Sequence, residues 1–282
     1  MKGKKMKSIH VVEESLPMAW EKAVIRCWEE GDSFPTQYDK ENDPNSRDVT
    51  ALIHITNPMQ EPRIHKALPM GLNDLEKYRS EILYGVHDYY MDDVTNENRW
   101  SYTYHQRLFD YDGVNQMDKV IEMLKKCGFT RRAQAVTWQP QHDLEISDPP
   151  CLQSLLFRVQ DKNKLNMSVR FRSQDLFKAF ASNTFALTEL QKFVADEVGV
   201  EVGSCMCLAD SMHIYGSYFD ELDGFMSYMG NTKFEDRVFD TQFAIPMYID
   251  GCDELLKESG LPEDKRLLVI KRKEYLKNML ST

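Results

Sequence analysis

Apolar positions along the chain recur with two periods, and each period predicts its own elements. In "SLPMAWEKAVIRCWEEGD", Met18, Val24, Ile25 and Trp28 fall at helical spacing, a proline stands near the start, and Gly31 follows the last periodic residue. An opening amphipathic helix is expected there. The polar stretch "DSFPTQYDKENDPNSRD" predicts a loop, "VTALIHIT" a β-branched strand and "NPMQEP" a turn. From Asn73 to Tyr90, "NDLEKYRSEILYGVHDYY" predicts a helix with Asn73 as N-cap, Glu76 completing a capping box, and Leu75, Tyr78, Ile82 and Leu83 facing inward. "VNQMDKVIEMLKKCG" sets Met117, Val120, Ile121 and Leu124 on one stripe and stops at Gly128, and "RRAQAVTW" then predicts a strand.

The period shortens to two after Cys151. "LQSLLFRVQ" and "KLNMSVRFR", joined by "DKN", predict a hairpin whose second strand alternates strictly at Leu165, Met167, Val169 and Phe171. Gln174 to Val198 predicts one long helix, "SCMCLADSMHIY" a strand, and the region from Tyr218 to Met229 a further helix. Helices and strands mix without regular alternation, which favours an α+β class over a doubly wound sheet. Neither a repeat nor a linker interrupts the chain, so residues 1–282 are expected to form a single domain.

Composition narrows the partners. The 282 residues are 42% hydrophobic and 28% charged, an ordinary globular balance. A formal charge of −10 gives no broad attraction to nucleic acid or to anionic membranes, so any phosphate must be met by a local cationic pocket. Met1 to Ser8 carries Lys2, Lys4, Lys5 and Lys7, but "IHVVEESLP" lacks the apolar length of a signal peptide or spanning helix, and a cytoplasmic protein is expected. The six cysteines, Cys27, Cys127, Cys151, Cys205, Cys207 and Cys252, form no CxxC pair, which argues against a disulfide framework or a structural zinc site. No metal is expected. In "GSCMCLAD", Cys205 and Cys207 fall on one strand face as a packed pair.

Candidate chemistry centres on Cys151, behind two prolines. It reads either as a nucleophilic thiol or as a buried cysteine in a sheet. A hairpin would lay the start of its first strand beside the end of its second, bringing Cys151 to Arg172. A thiol attacks as thiolate, and a nearby cation favours that form. The guanidinium fork of Arg172 with the hydroxyl of Ser173 suits a phosphate, and Arg131 with Arg132 makes a second cationic point, although each arginine also reads as a solvated surface charge. Asn183 is a poor helix former inside a helical run, so it either faces solvent or has a side-chain duty. A carboxamide offers one donor and one acceptor together, as the imide edge of uracil requires.

"PPC", the hairpin, "RSQDLF", Asn183 eight residues after Asp175, and "ADSMHIY" resemble, in order and spacing, the active-site blocks of the thymidylate synthase family. The resemblance is firm from Arg131 to Tyr218, weaker from Arg47 to Asp110 and poor over the last fifty or so residues. It implies a mixed sheet flanked by helices and an enzyme that methylates C5 of dUMP with 5,10-methylenetetrahydrofolate. Cys151 resembles the nucleophile that adds to C6. Arg172 and Ser173 resemble phosphate ligands of the same subunit, and Arg131 and Arg132 resemble the pair given by the neighbouring subunit of a homodimer. Asn183 resembles the reader of O4 and N3, His213 and Tyr215 the pair on the 3′-hydroxyl, and Asp175 the folate-contacting carboxylate. Glu81 resembles the glutamate that assists proton transfer, with Glu76 as its rival. Arg47 resembles a further phosphate ligand and Tyr104 the tyrosine that relays the C5 proton; Trp100, whose spacing differs from that of the family's tryptophans, reads either as a shield of the intermediate on the folate side or as a core residue.

The chain departs from the family pattern at Leu152, where a His usually follows the nucleophile, and at Phe171, where a Gln is common; "FRSQD" is closer to archaeal-type members. The family's short apolar C-terminus is replaced by "LLVIKRKEYLKNMLST", a mixed basic, helix-like tail. A pyrimidine nucleotide hydroxymethylase on the same scaffold is therefore the second expectation, since exclusion of water decides the product. A catalytically silent nucleotide-binding relative is the third.

Overall fold

The structure is a computed structural model that describes residues 7–92, 99–161 and 163–281. Lys2, Lys4 and Lys5 of the basic N-terminal stretch, and Lys162 in the expected hairpin turn, lie outside the described residues. In chain order the elements are β1 (Ser8–Glu13), α1 (Leu16–Glu30), β2 (Asp32–Phe34), β3 (Ser46–Ile55), β4 (Ile64–His65), α2 (Leu72–Tyr84), α3 (Tyr104–Phe109), α4 (Gln116–Lys126), β5 (Gln134–Val136), α5 (Pro140–Asp143), β6 (Leu152–Gln160), β7 (Lys164–Asp175), α6 (Phe180–Val198), β8 (Glu201–Ile214), α7 (Phe219–Asn231), β9 (Val238–Phe239), α8 (Thr241–Lys257) and α9 (Glu263–Leu280). A mixed seven-stranded sheet runs β1-β3-β8-β7-β6-β5, with β2 on β3. Helices flank it, as an α+β class requires.

The β6–β7 hairpin forms as its alternation predicts, with Leu165, Met167, Val169 and Phe171 all buried. β7 then pairs with β8 in parallel, which demands a crossover, and α6 supplies it. Cys205 and Cys207 are buried neighbours on β8, their sulfurs 3.9 Å apart. Among the described residues no helix is long and apolar enough to cross a membrane.

Several local expectations are corrected. The stretch from Gln174 to Val198 is not one helix: β7 runs to Asp175 and α6 begins at Phe180. Pairing with β8 through Asp175 overrides the helical pattern at 174–175. Asn73 is not an N-cap. Gly71 is the cap, and Asn73 lies inside α2, donating to Glu254 at 2.9 Å. α2 ends at Tyr84 rather than Tyr90 because Gly85 takes a left-handed φ of 66°. A Cβ there would meet His105 Nδ1 at 2.2 Å, so both backbone and space call for glycine. The expected strand "RRAQAVTW" is confined to Gln134–Val136, leaving Arg131 and Arg132 in the irregular stretch before it. The polar loop after α1 contains β2, paired with β3, and the strand at Ser8–Glu13 was not expected from pattern.

The C-terminal segment is helical, as its pattern predicts. α9 buries Val269 and Leu276 and inserts Arg272, which grips Glu76 on α2 through Nε at 2.9 Å and Nη2 at 2.8 Å. Glu76 is fully buried, so it was a core ion rather than a capping-box member. Glu189 on α6 is held by Arg63 and Arg79; burial alone would raise its carboxyl, but Arg63, Arg79 and Arg272 outweigh it and hold it at about 2. Its stabilising effect is complete above the ordinary value of 4.5 and fades as pH falls toward about 2. Removing one partner of such a buried pair leaves a bare charge. Glu76→Gln should therefore lower stability in urea melts by about 3 kcal/mol, and Glu76→Leu combined with Arg272→Met should recover part of the loss.

Candidate active site

At one end of the sheet the carboxyl ends of β7 and β8 lie beside the amino end of β6, the place where open sheets commonly present ligand sites. Register sets Leu152 against Phe171, and the Arg172 N–H donates to the Cys151 carbonyl at 2.9 Å. A register shift at Gln153 bulges β6 next to the thiol, a device that re-aims side chains. The Arg172 guanidinium turns toward the same segment, donating through Nε to the Pro150 carbonyl at 3.0 Å and through Nη2 to that of Pro149. The thiol of Cys151 is half-buried. Burial pushes it up, Arg172 pulls it down, Asp148 pushes it up again, and the balance is a raised pKa. At neutral pH the resting group is a thiol.

Above it sits a cluster of hydroxyls. Tyr104, the first residue of α3, accepts from the Leu152 N–H at 3.2 Å, so its oxygen lies at the start of β6. Tyr78 on α2 donates to Asn183 Oδ1, Asn183 Nδ2 donates to Gln174 Oε1 at 3.1 Å, and Gln174 Nε2 donates to the Asp175 carbonyl at 3.1 Å. This chain fixes which way the Asn183 amide points. Burial raises the Tyr78 hydroxyl far above its ordinary value, with Tyr104, Glu81, Tyr102 and Cys151 adding to the effect, so these groups form one electrostatic cluster.

Glu81 accepts from His87 Nδ1 at 3.0 Å. Burial would lower the His87 pKa, but Glu81 and Glu258 raise it overall. Trp100 packs its edge on His87 and Tyr90, ring centroids at 5.8 Å and 5.0 Å. It also lines a cleft of about 960 Å³ with Asp88 and Arg107. Glu76, the rival of Glu81, stands apart in its ion pairs with Arg79 and Arg272.

Asp175 and His213 are register partners. Asp175 Oδ1 accepts from the N–H groups of Phe177 at 3.1 Å and Lys178 at 2.9 Å, shaping the turn into α6, while burial raises its carboxyl. Burial pushes His213 down to about 4, which keeps the ring neutral. Its Nδ1 lies 3.4 Å from Ser211 Oγ, and its buried Nε2 has no partner among the described residues. The Tyr215 ring stands 4.6 Å away. Ser173 pairs with Ser211 across the strands. Arg47, opposite Ile214, donates to the Gly31 carbonyl at 3.1 Å and lies over Trp28 at 5.3 Å. Arg131 and Arg132 are exposed, and neither guanidinium makes a bond among the described residues. The structure joins neither to the Cys151 group within one chain.

The model for the family described as "Thymidylate synthase" matches residues 75–233. The chain is 34% identical over 211 residues to a putative thymidylate synthase of Methanocaldococcus jannaschii, covering 71% of this chain and 88% of that relative. A putative thymidylate synthase of Methanosarcina mazei is 30% identical over 206 residues, 73% of this chain and 88% of its own. The chain belongs to the thymidylate synthase family. Its fold is similar to that of thermostable thymidylate synthase A from Bacillus subtilis, at a TM-score of 0.59 and 20% identity, covering 76% of this chain and 84% of that one.

The matched thymidylate synthase region ends at 233, so α8 and α9 lie beyond it. Sequence reasoning missed Tyr78, Tyr102, His87 and Gln174 as members of the site. Tyr78 had a usable signal, three residues before Glu81 on the same helix face. Gln174 stands inside the "RSQD" block, but its stretch reads as helix, which hides that its side chain meets Asn183.

The thiol chemistry is testable directly. Iodoacetamide labelling of Cys151, followed by peptide mass spectrometry, should show an apparent pKa above that of a free thiol, and Arg172→Gln should slow labelling at pH 8 several-fold while Cys127 is unchanged. An apparent pKa below 8 for Cys151 would contradict the burial balance.

Proposed function

We propose that this member of the thymidylate synthase family methylates C5 of dUMP to give dTMP, using 5,10-methylenetetrahydrofolate, in the cytoplasm. The observation that carries the reading is the convergence of Cys151, the oriented Asn183 amide and the unpaired His213 Nε2 on one end of the sheet. A buried ring nitrogen without a partner costs about 1–3 kcal/mol, and a ligand hydroxyl removes that cost.

Arg172 and Ser173, with Arg47 nearby on β3, take the phosphate, for which the Arg172 fork exchanges its proline carbonyls. Arg131 and Arg132, exposed and without a side-chain partner among the described residues, complete that site across a homodimer. His213 and Tyr215 hold the 3′-hydroxyl. Asn183 has given one N–H to Gln174 and one lone pair to Tyr78, which leaves one N–H for O4 and one lone pair for N3–H of uracil. Cytosine reverses that demand. Flipping the amide to meet it would set Asn183 Oδ1 against Gln174 Oε1, two acceptors, and Gln174 is held by its own bond to Asp175.

Cys151 passes its proton, by way of the hydroxyls of Tyr78 and Tyr104, to the Glu81 carboxylate, and its sulfur then bonds to C6 as the C5–C6 π pair moves toward O4. C5 thereby becomes nucleophilic. Glu81, held by His87, and Tyr104, held by the Leu152 N–H, are placed to move protons at O4 and C5. The reduced folate, when bound, supplies the one-carbon unit and the hydride. Asp175, a half-buried carboxyl whose Oδ1 is bonded to the α6 turn, suits a polar anchor for it, and Trp100 suits a shield. No group of three or more His, Cys, Asp or Glu suited to a metal occurs among the described residues.

One observation favours a second reading, transfer of water in place of hydride to give a hydroxymethyl nucleotide. The stretch that departs from the family pattern is packed as α9 against α8 and α2, pinned by Arg272.

Mass analysis of the nucleotide after incubation with dUMP and methylenetetrahydrofolate should show gain of a methyl group; gain of hydroxymethyl selects the second reading. Cys151→Ser should abolish turnover with nucleotide binding kept. Asn183→Asp should shift preference toward dCMP, and Tyr78→Phe should raise KM for dUMP about fivefold through loss of one orienting hydrogen bond. Unchanged dUMP preference in both variants would refute the role given to Asn183.

A further inference from the structure

Five buried charged side chains form a ladder of alternating sign behind α2 and α6. Arg63 donates to Glu189 Oε1 at 2.5 Å, Arg79 reaches Glu189 Oε2 at 3.1 Å and Glu76 Oε1 at 3.4 Å, and Arg272 holds Glu76 through Nε and Nη2. None of the five side chains is more than 12% exposed. Asn183 and Glu189 are six positions apart on α6, about 240° around its axis, so the ladder lies on a different face from the Cys151 site.

The ladder begins and ends on a guanidinium, which sets three cations against two carboxylates. Burying a surplus charge is costly unless an opposite charge meets it. Both terminal guanidiniums, Arg63 and Arg272, line one cavity of about 520 Å³ between α6, α8 and α9, with Phe185, Tyr248, Tyr275 and Leu276 among its walls. Three buried polar atoms of that wall have no partner among the described residues: Arg63 Nε, Thr241 Oγ1 and the hydroxyl of the fully buried Tyr248. Glu61 and Asp240 also line the cavity, but both are exposed and therefore screened by water and salt. Its volume falls within the range of small-molecule sites and exceeds what an inorganic ion fills.

We propose that this cavity binds a small aromatic anion, a carboxylate or a phosphate monoester, whose charged group bridges Arg63 and Arg272 and closes the ladder into a ring of alternating charge. The ring of the ligand packs between Phe185 and Tyr275, and its oxygens take the free donors of Tyr248 and Thr241. This site stands whether or not the chain methylates dUMP.

The test is thermal melting of the full chain, with isothermal titration, against benzoate, phenyl phosphate, benzamide and inorganic phosphate. Benzoate or phenyl phosphate should raise Tm saturably, as binding to the folded state alone must; the tighter of the two identifies the anionic group. Benzamide, the neutral counterpart of benzoate, and inorganic phosphate should give little shift. Tyr248→Phe, which removes only a hydroxyl, should weaken binding about fivefold, and Arg272→Gln should abolish it; Tyr248→Phe keeps the test readable where Arg272→Gln melts too low. Arg172→Ala should retain full binding, which separates this site from the nucleotide site. A benzamide or inorganic phosphate shift equal to that of the aromatic anions, no shift with either aromatic anion, a shift unchanged by both cavity variants, or its loss in Arg172→Ala would overturn the proposal.

Discussion

Parallel pairing of β7 with β8 is the constraint on which the rest of the molecule depends. It forces the chain to cross the sheet between the two strands, and α6 is that crossing. The same pairing sets Ser173 beside Ser211 and Asp175 beside His213. Because α6 starts at the end of β7, its first turn carries Asn183 back over the strand ends, within a hydrogen bond of Gln174. The hairpin completes the arrangement by returning Cys151 to Arg172. Residues spread over more than sixty positions thus meet because two strands run the same way.

Burial then decides the resting chemistry. It pushes the Cys151 thiol up and His213 down to about 4, so both are neutral near pH 7 despite the arginine beside the thiol. A neutral site spares the free protein a buried thiolate, whose desolvation would cost more than one partly occupied guanidinium returns. The Tyr78–Asn183–Gln174 chain works in the same dry setting, where a wrongly turned amide has no water to mend its bonds. Orientation at Asn183 therefore comes from its neighbours.

Helices α8 and α9 lie beyond the region matched by the family, yet they are tied to its centre. Gly251 of α8 stands so close to α2 that a Cβ would meet the Asn73 carbonyl at 2.4 Å. Arg272 of α9 reaches Glu76 on the same helix, which also bears Tyr78 and Glu81. The C-terminal segment and the candidate site share α2 as a common wall.

The sequence by itself determined the hairpin, the amphipathic α1 and α4, and the cysteine pair on β8, because each rests on a local period of apolar residues that tertiary contacts reinforce. It also determined the family, through Cys151, the "RSQD" block, Asn183 and the "HIY" block at fixed spacing. Boundaries were less legible: Gln174 reads as helix, and only pairing with β8 made it strand and thereby a partner of Asn183. Glu76 resembled a capping residue, and nothing in the basic C-terminal stretch singled out Arg272, since each is recognisable as a core ion only beside the other, 196 positions away. Tyr78 was visible as an inward side chain, but its hydroxyl bond to Asn183 depended on how α2 and α6 pack. Local pattern specifies which face of an element is buried; which polar group it meets there is set by the neighbouring element, and that information exists only in three dimensions.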